Sequence, residues 1–290
     1  MATTAQVFAH RSAGRSTLAR TTVTYILMAL LALVFLGPLL FMVVGALKPG
    51  ELVLADSTSW RVLWPTGASL DNFFEAARRS SFGTLLRNSV IVSAAVVGGG
   101  LVVNSLMGYA LARLHFRGRS VLLVTIISLV IVPFQAIAIP LLYVMSELSL
   151  RNTFLVQILP FLAQPLYIYL FYTFFLGLPR EYEEAARIDG AGPMRIFCFI
   201  AAPLAKPAYA AVAVLTFLGV WNELLWPALV TDDIAVRPLP LALSLFRGDR
   251  PVDQGVIMAF VFMMVLPSLA LFVVAQRSFV QGVASTGVKG

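Results

Sequence analysis

Residues 178–207 read LPREYEEAARIDGAGPMRIFCFIAAPLAKP, and this stretch holds eight of the chain's 35 charged residues between two long apolar runs. It is a polar excursion from a membrane, and its local chemistry predicts helix. Pro179 suits a first helical position, where no amide partner is lost, and Glu181, Glu183 and Glu184 place negative charge against the positive end of the helix dipole. Arg187 follows Glu183 by four residues and Glu184 by three. Gly190 is a natural stop, and Pro193 opens a second short helix that Pro203 and Pro207 close. Ala185 and Ala186 are small enough for close approach by another surface, with Glu184 and Arg187 as paired charge at its rim. A solvated loop with a capped amphipathic helix is the plainer account of the same composition. The single cysteine, Cys198, leaves no internal disulfide and reads as a small apolar filler.

Working outward, 59% of the side chains are hydrophobic and 12% charged, against about 25% charged in soluble domains. The fold class predicted is therefore an all-α integral membrane protein with six transmembrane helices. The net charge of +7 is scattered between apolar runs with no aromatic-interleaved patch, which argues against nucleic acid and for topology signals in contact with lipid. Residues 1–21 form a tail carrying Arg11, Arg15 and Arg20, and residues 22–276 a six-span domain. The first run, 22–47, has no charge and exceeds the about 7–15 residues of a signal-peptide core, so it reads as an uncleaved span. Residues 48–86, with Trp60 and Trp64, read as an external loop with a short helix around Asp71 to Arg79.

The second span, 88–112, contains Gly98, Gly99, Gly100 and Asn104; no G-K-[ST] follows, so the glycines read as helix packing and not as a phosphate loop. Arg113, Arg117 and Arg119 then fill a short acid-free turn, the strongest positive-inside signal in the chain. The third span, 121–145, holds Pro133, Gln135 and Pro140, and the fourth, 154–176, holds Gln157, Pro160, Gln164 and Pro165. Backbone groups freed by proline need partners in a membrane, which turns these spans toward a bundle or a cavity. After residues 178–207 come a fifth span at 208–229, an external loop at 230–253, a sixth span at 255–275 and a tail at 277–290. Twelve basic residues fall in the loops placed inside and eight in those outside, with Arg87 at a boundary, and both termini are expected in the cytosol.

With His10 in a tail and His115 in a turn, the chain has no histidine pair, metal-ligand spacing or Walker A sequence, so it reads as no enzyme. Glu223, within Trp221-Asn222-Glu223-Leu-Leu-Trp226-Pro227, is the one acid deep in a span. A carboxylate at mid-membrane costs about 2.5–3.5 kcal/mol on insertion scales, so Glu223 faces a cavity or hydrogen-bonds another helix. Asn222, Glu223, Trp221 and Trp226 are candidate contacts for a polar solute.

The ordered pattern Glu184-Ala185-Ala186, then Ile188-Asp189-Gly190-Ala191, then Ile200 and Pro203, resembles the cytoplasmic coupling loop, the EAA motif, of permease subunits from ATP-binding-cassette (ABC) importers. Ala202 stands where that family usually has Leu. The W-N-E-x-x-W-P run resembles the fifth span of carbohydrate-type permeases, and Gln276-Arg277, Val280, Gly282 and Val288-Lys289-Gly290 resemble their terminus, with Thr286 where Gly is more usual. The resemblance covers most of the chain. It implies a type I ABC importer permease fold in the cell inner membrane, serving sugars or related solutes of the maltose and glycerol-3-phosphate kind. It implies as partners a second, different permease, two ATPase subunits that bind the ATP and Mg, and an extracytoplasmic solute-binding protein, with no cofactor in this chain. By the same resemblance Glu184, Ala185, Ala186, Arg187, Asp189, Gly190, Ala191 and Pro203 couple to the ATPase, Gln135, Asn222 and Glu223 lie along the translocation pathway, and Val288, Lys289 and Gly290 form an ATPase-facing tail. An ion-coupled secondary transporter is the alternative; it should show broken helices in two repeated halves and several intramembrane acids, whereas here one acid and no repeat are apparent.

Overall fold

Long apolar runs with few breakers make long helices, and several of the breaks between them fall at proline, before Phe134 and at the starts of the helices that open at Pro165 and Lys206. The computed structural model describes the backbone of residues 3–247 and 253–287 and the side chains of 20–246 and 253–275. It is 78% helical, with no strand among the described residues. The chain divides into two compact units, residues 1–76 with 250–262, and residues 77–249 with 263–290.

In the first unit α1 (Thr3–Leu47) carries Pro38 inside it and leads to α2 (Gly50–Ala55), a tight turn at Trp60–Leu63 and the start of α3 (Asp71–Arg79), the short helix expected there. The segment after Leu47 is a knot more than a loop. The Lys48 side chain is fully buried and donates from Nζ to Asp56 Oδ2 at 2.9 Å and to the Arg61 carbonyl at 2.6 Å. Thr66 Oγ1 donates to the same carboxylate oxygen at 3.3 Å. The hydrogen bond from Lys48 is the chief reason the Asp56 carboxyl titrates below its ordinary range. Asn72 Nδ2 ties α3 back by donating to the carbonyls of Ala46 and Lys48 at 2.9 and 2.6 Å.

In the second unit the spine is α4 (Phe82–Arg113). Its buried face carries Asn88, Ser89, Ser93, Asn104 and Ser105 among Val92, Val96 and Gly100, while Val90, Ile91 and Val102 are exposed. Polar groups inside and apolar groups outside is the pattern that a helix in lipid requires, because buried side chains can find partners and lipid supplies none. Three helices are long and apolar enough to cross a membrane alone, Arg20–Leu47, Phe82–Arg113 and Gln254–Ala275, and the number rises to six if each bent pair is one span. The first bent pair is α5 (Arg119–Leu129) with α6 (Phe134–Glu147), meeting at 106°. Pro133, immediately before α6, has no N–H to continue the ladder. The second is α7 (Phe154–Ile158), prolonged to Phe161, with α8 (Pro165–Leu176), meeting at 44°.

Beyond α8 lie α9 (Glu181–Ile188), α10 (Pro193–Ile196), a π turn at Phe197–Ala201, α11 (Ala202–Leu204) and α12 (Lys206–Trp221). The Pro193–Leu204 stretch meets α12 at 78°, with Pro207 in the first turn of α12. After a break at residues 222–224 come α13 (Leu225–Val230), α14 (Leu243–Arg247) and α15 (Gln254–Gly287), whose backbone continues past the expected end of the sixth span.

The spine repairs the break before α8. Asn104 Nδ2 donates to the carbonyls of Gly100 at 2.6 Å and Leu162 at 3.1 Å, and its Oδ1 accepts from the Gln164 amide at 2.8 Å. Of the three consecutive glycines, Gly99 meets Leu162 and Gly100 the same break, whereas nothing lies within 4 Å of a Cβ built on Gly98. The tightest approach among the glycines of α4 is at Gly108, where a Cβ would stand 2.6 Å from Phe171 Cβ and 3.0 Å from the Ile168 carbonyl. Below it Tyr109, Phe171, Phe175 and Phe197 form an aromatic core, with Tyr109 edge-on to Phe175 at 5.5 Å. At the opposite end of α4, Asn88 donates to the carbonyls of Ile234 and Arg237, Ser89 Oγ accepts from the Leu239 amide, and the fully buried Gln157 donates to the Val236 carbonyl. These bonds hold residues 234–239 against the bundle, and Leu239 to Ala242 are buried.

Candidate functional site

Helix α9 begins at Glu181, two residues after the expected start, with Glu181, Glu183 and Glu184 in its first turn. It ends in a Schellman motif: the Gly190 amide donates to the Arg187 carbonyl at 3.0 Å and the Ala191 amide to the Ala186 carbonyl at 2.9 Å. Gly190 has φ +79°, and the space around it is empty, so backbone conformation and not crowding is what requires glycine there. Ala186 and Ala191 lie against the aromatic core, whereas Glu184, Ala185, Arg187, Asp189 and Pro203 are exposed. Exposed apolar side chains join them, among them Ile188 (87% exposed), Met194 and Phe199, of which no role was expected. Cys198 is exposed too, which corrects its reading as a filler; in the π turn it is Phe197 and Ala201 that face the core.

Arg113, read above as a topology signal, is buried at the end of α4. Its Nε and Nη2 donate to the Phe175 carbonyl at 2.9 and 2.5 Å, and Nη2 also donates to the Leu178 carbonyl. These carbonyls lie at and just beyond the C-terminal end of α8, where the Phe175 carbonyl also accepts from the Leu178 amide at 3.2 Å, so the guanidinium adds to the cap of that helix end. Glu183 Oε1 lies 3.3 Å from Arg113 Nε, with the two side chains 9% and 5% exposed. Arg187 Nη2 stands 3.8 Å from Glu183 Oε2, one helical turn away. The expected rim pair of Glu184 with Arg187 is therefore replaced by Glu183 with Arg187, and Glu184 makes no ion pair among the described residues. The reason is geometric: four residues bring side chains onto one face more nearly than three, and that face is the packed one.

The second site is a cavity of about 180 Å³ between α4, α8 and α12. Phe134, Phe161 and Tyr167 give it aromatic walls, and Gln164, Thr216 and Glu223 give it polar ones. Glu223 stands in the break between α12 and α13, where its Oε1 accepts from the Trp226 amide at 3.1 Å and caps α13. Asn222 and Gln135 are exposed and outside this lining. Trp221 and Trp226 are fully buried and serve as struts, donating from Nε1 to the carbonyls of Met264 at 3.0 Å and Val156 at 2.7 Å. They offer no face to a solute, contrary to the sequence reading, because a buried indole needs a partner for its N–H and these carbonyls supply it. Among the described residues no cluster of His, Cys, Asp or Glu is arranged to hold a metal. Val288, Lys289 and Gly290 lie outside the described residues.

Residues 100–284 match the family model described as binding-protein-dependent transport system inner membrane component. The arabinooligosaccharides transport system permease protein AraQ of Halalkalibacterium halodurans is 32% identical over 263 residues, covering 90% of this chain and 94% of that protein. The osmoprotective compounds uptake permease protein GgtD of Synechocystis is 34% identical over 266 residues, covering 89% of each. The sn-glycerol-3-phosphate transport system permease protein UgpE of Yersinia enterocolitica is 32% identical over 207 residues, covering 71% and 74%. A chain from the crystal structure of a bacterial ABC transporter involved in the import of the acidic polysaccharide alginate has the same fold, with a TM-score of 0.79 over 91% of this chain and 98% of that one at 23% identity. The chain belongs to the binding-protein-dependent transport system inner membrane components, and is an ABC importer permease, a membrane transport subunit and not an enzyme.

Proposed function

We propose that this permease carries neutral sugars or short oligosaccharides inward, together with a second, different permease, two ATPase subunits and an extracytoplasmic solute-binding protein. Residues 178–207 face the cytosol in this reading and dock on the ATPase through Glu184, Ala185, Arg187 and Ile188, and both termini lie on the same side. The basic turn at Arg113–Arg119 and the exposed apolar side chains beside the Schellman turn support that placement. The observation that carries the choice of solute is the cavity at Glu223, which offers aromatic faces, an amide, hydroxyls and one carboxylate, with no basic side chain in its lining. Hydroxylated rings stack on flat aromatic walls and hydrogen-bond to such groups, whereas a phosphate or uronate would find no basic partner in this lining and would stand beside the Glu223 carboxyl. Relatives named for arabinooligosaccharides fit that lining better than those named for glycerol-3-phosphate.

The test is ATP hydrolysis by the complete complex in proteoliposomes. Binding protein loaded with a neutral oligosaccharide should stimulate it, and a phosphorylated glycerol or a uronate should not. Glu223→Gln should narrow that difference. Stimulation by anionic solutes alone refutes the reading.

A further inference from the structure

We infer that Arg113 and Glu183 form the joint through which movement of α9 reaches the membrane helices, so that Arg113 is a positioning residue for the coupling of ATP hydrolysis to transport. The inference rests on the reading of residues 178–207 as the ATPase-docking segment. Three elements meet at one guanidinium: Arg113 is the last residue of α4, Phe175 and Leu178 flank the end of α8, and Glu183 is in the first turn of α9. The exposed side chains of α9 carry no other such tie to the bundle, because Glu184 is unpaired among the described residues and Ala185 is a methyl group.

The joint has two different halves. Toward α8 it is directional, three hydrogen bonds from a planar donor fork to two carbonyl oxygens, which fixes the guanidinium against the bundle. Toward α9 it is ionic: Glu183 Oε1 lies within 3.3 Å of Arg113 Nε, yet that buried oxygen accepts no hydrogen bond. Charge attraction without hydrogen-bond alignment tolerates rotation, so α9 can rock about the contact without leaving it. Were Arg113 to depart, the buried carboxylate would keep only the exposed Arg187, 3.8 Å away on its own helix, and that weak compensation keeps the contact closed while α9 moves. The bundle side does not yield in turn, because α4 and α8 interlock at Gly108 and through Tyr109 and Phe175. Lysine would not replace this arginine, since a point ammonium cannot span two carbonyls and a carboxylate in one plane.

The experiment uses the complete complex in proteoliposomes, and reads solute transported per ATP hydrolysed in complexes that have assembled. Arg113→Lys and Glu183→Gln are expected to co-purify with the ATPase and hydrolyse ATP at the basal rate, while stimulation by loaded binding protein and the transport ratio each fall at least tenfold. A merely structural role would lower yield and leave the ratio of surviving complexes unchanged, and that result overturns the inference. Should Arg113→Lys fail to assemble, Glu183→Asp keeps the charge and withdraws it by one methylene; a reduced ratio supports the joint and an unchanged one refutes it. Ile188→Glu separates the two readings. Loss of the ATPase in that variant, with normal ratios in the Arg113 and Glu183 variants, sinks the joint alone; an ATPase still bound and coupled sinks the docking reading itself.

Discussion

Gly108→Ala and Gly98→Ala make the same chemical change in the same helix, and the structure assigns them opposite signs. At Gly108 the added methyl would stand 2.6 Å from Phe171 Cβ, 2.9 Å from the Tyr172 amide nitrogen and 3.0 Å from the Ile168 carbonyl oxygen. Two of these are backbone atoms of α8, which cannot swing away as the tip of a side chain would. Relief to an ordinary contact near 3.4 Å needs the helices to part by about 0.8 Å, the kind of overpacking that costs about 1–3 kcal/mol. Alanine returns about 0.5–1 kcal/mol through helix propensity, leaving a net loss centred on about 1 kcal/mol. At Gly98 nothing lies within 4 Å, so only the gain of about 0.5–1 kcal/mol remains. The two variants should therefore differ by about 2 kcal/mol, roughly a 30-fold ratio in unfolding equilibrium at about 1.4 kcal/mol per decade. Reversible unfolding of the purified subunit in mixed micelles, followed by fluorescence of the buried Trp221 and Trp226, measures it. Equal shifts of the same sign would refute the claim that α4 and α8 are in backbone contact at Gly108.

Two further outcomes follow from the polar clusters. Because the folded pKa of Asp56 lies below its ordinary 3.8, the Lys48 bond stabilises the 48–66 knot above that pH and is lost as pH falls through the folded value; proteolysis of this segment should accelerate below about pH 4, and Lys48→Met should make it fast at neutral pH as well. Asn104→Leu strands the Leu162 carbonyl and the Gln164 amide, each lost partner costing about 1–3 kcal/mol, so thermal melting of the purified chain should drop by several degrees, and an unchanged melt would mean that water serves the break equally well.

What could be read in the sequence was what local composition controls. The run lengths gave the helical class, and Gly190 and the acids after Pro179 gave a capped helix, because caps and φ preferences act within a few residues. What was hidden lies across the fold. Arg113 looked like a topology signal because its charge is visible locally, while its acceptors lie 62 and 65 residues later. The preference of Arg187 for Glu183 over Glu184 depends on which side of α9 the aromatic core covers. Three adjacent glycines drew notice and the lone Gly108 did not, although helix contact is decided by what stands opposite and not by how many glycines adjoin. The indoles at Trp221 and Trp226 suggested a sugar platform for want of any sign that the carbonyls of Met264 and Val156 would receive their N–H groups.

The inward polar face of α4 also sets a timetable for the protein's birth. Asn104 finds its partner carbonyl 58 residues downstream, and Asn88 waits for one 149 residues downstream. At translation rates of about 5–20 residues per second the first wait is about 3 s at its shortest and the second about 30 s at its longest. Throughout that interval the finished helix carries asparagine and serine side chains whose distant partners have not yet been made, a cost in hydrocarbon that shelter by the insertion machinery or by another subunit would lower.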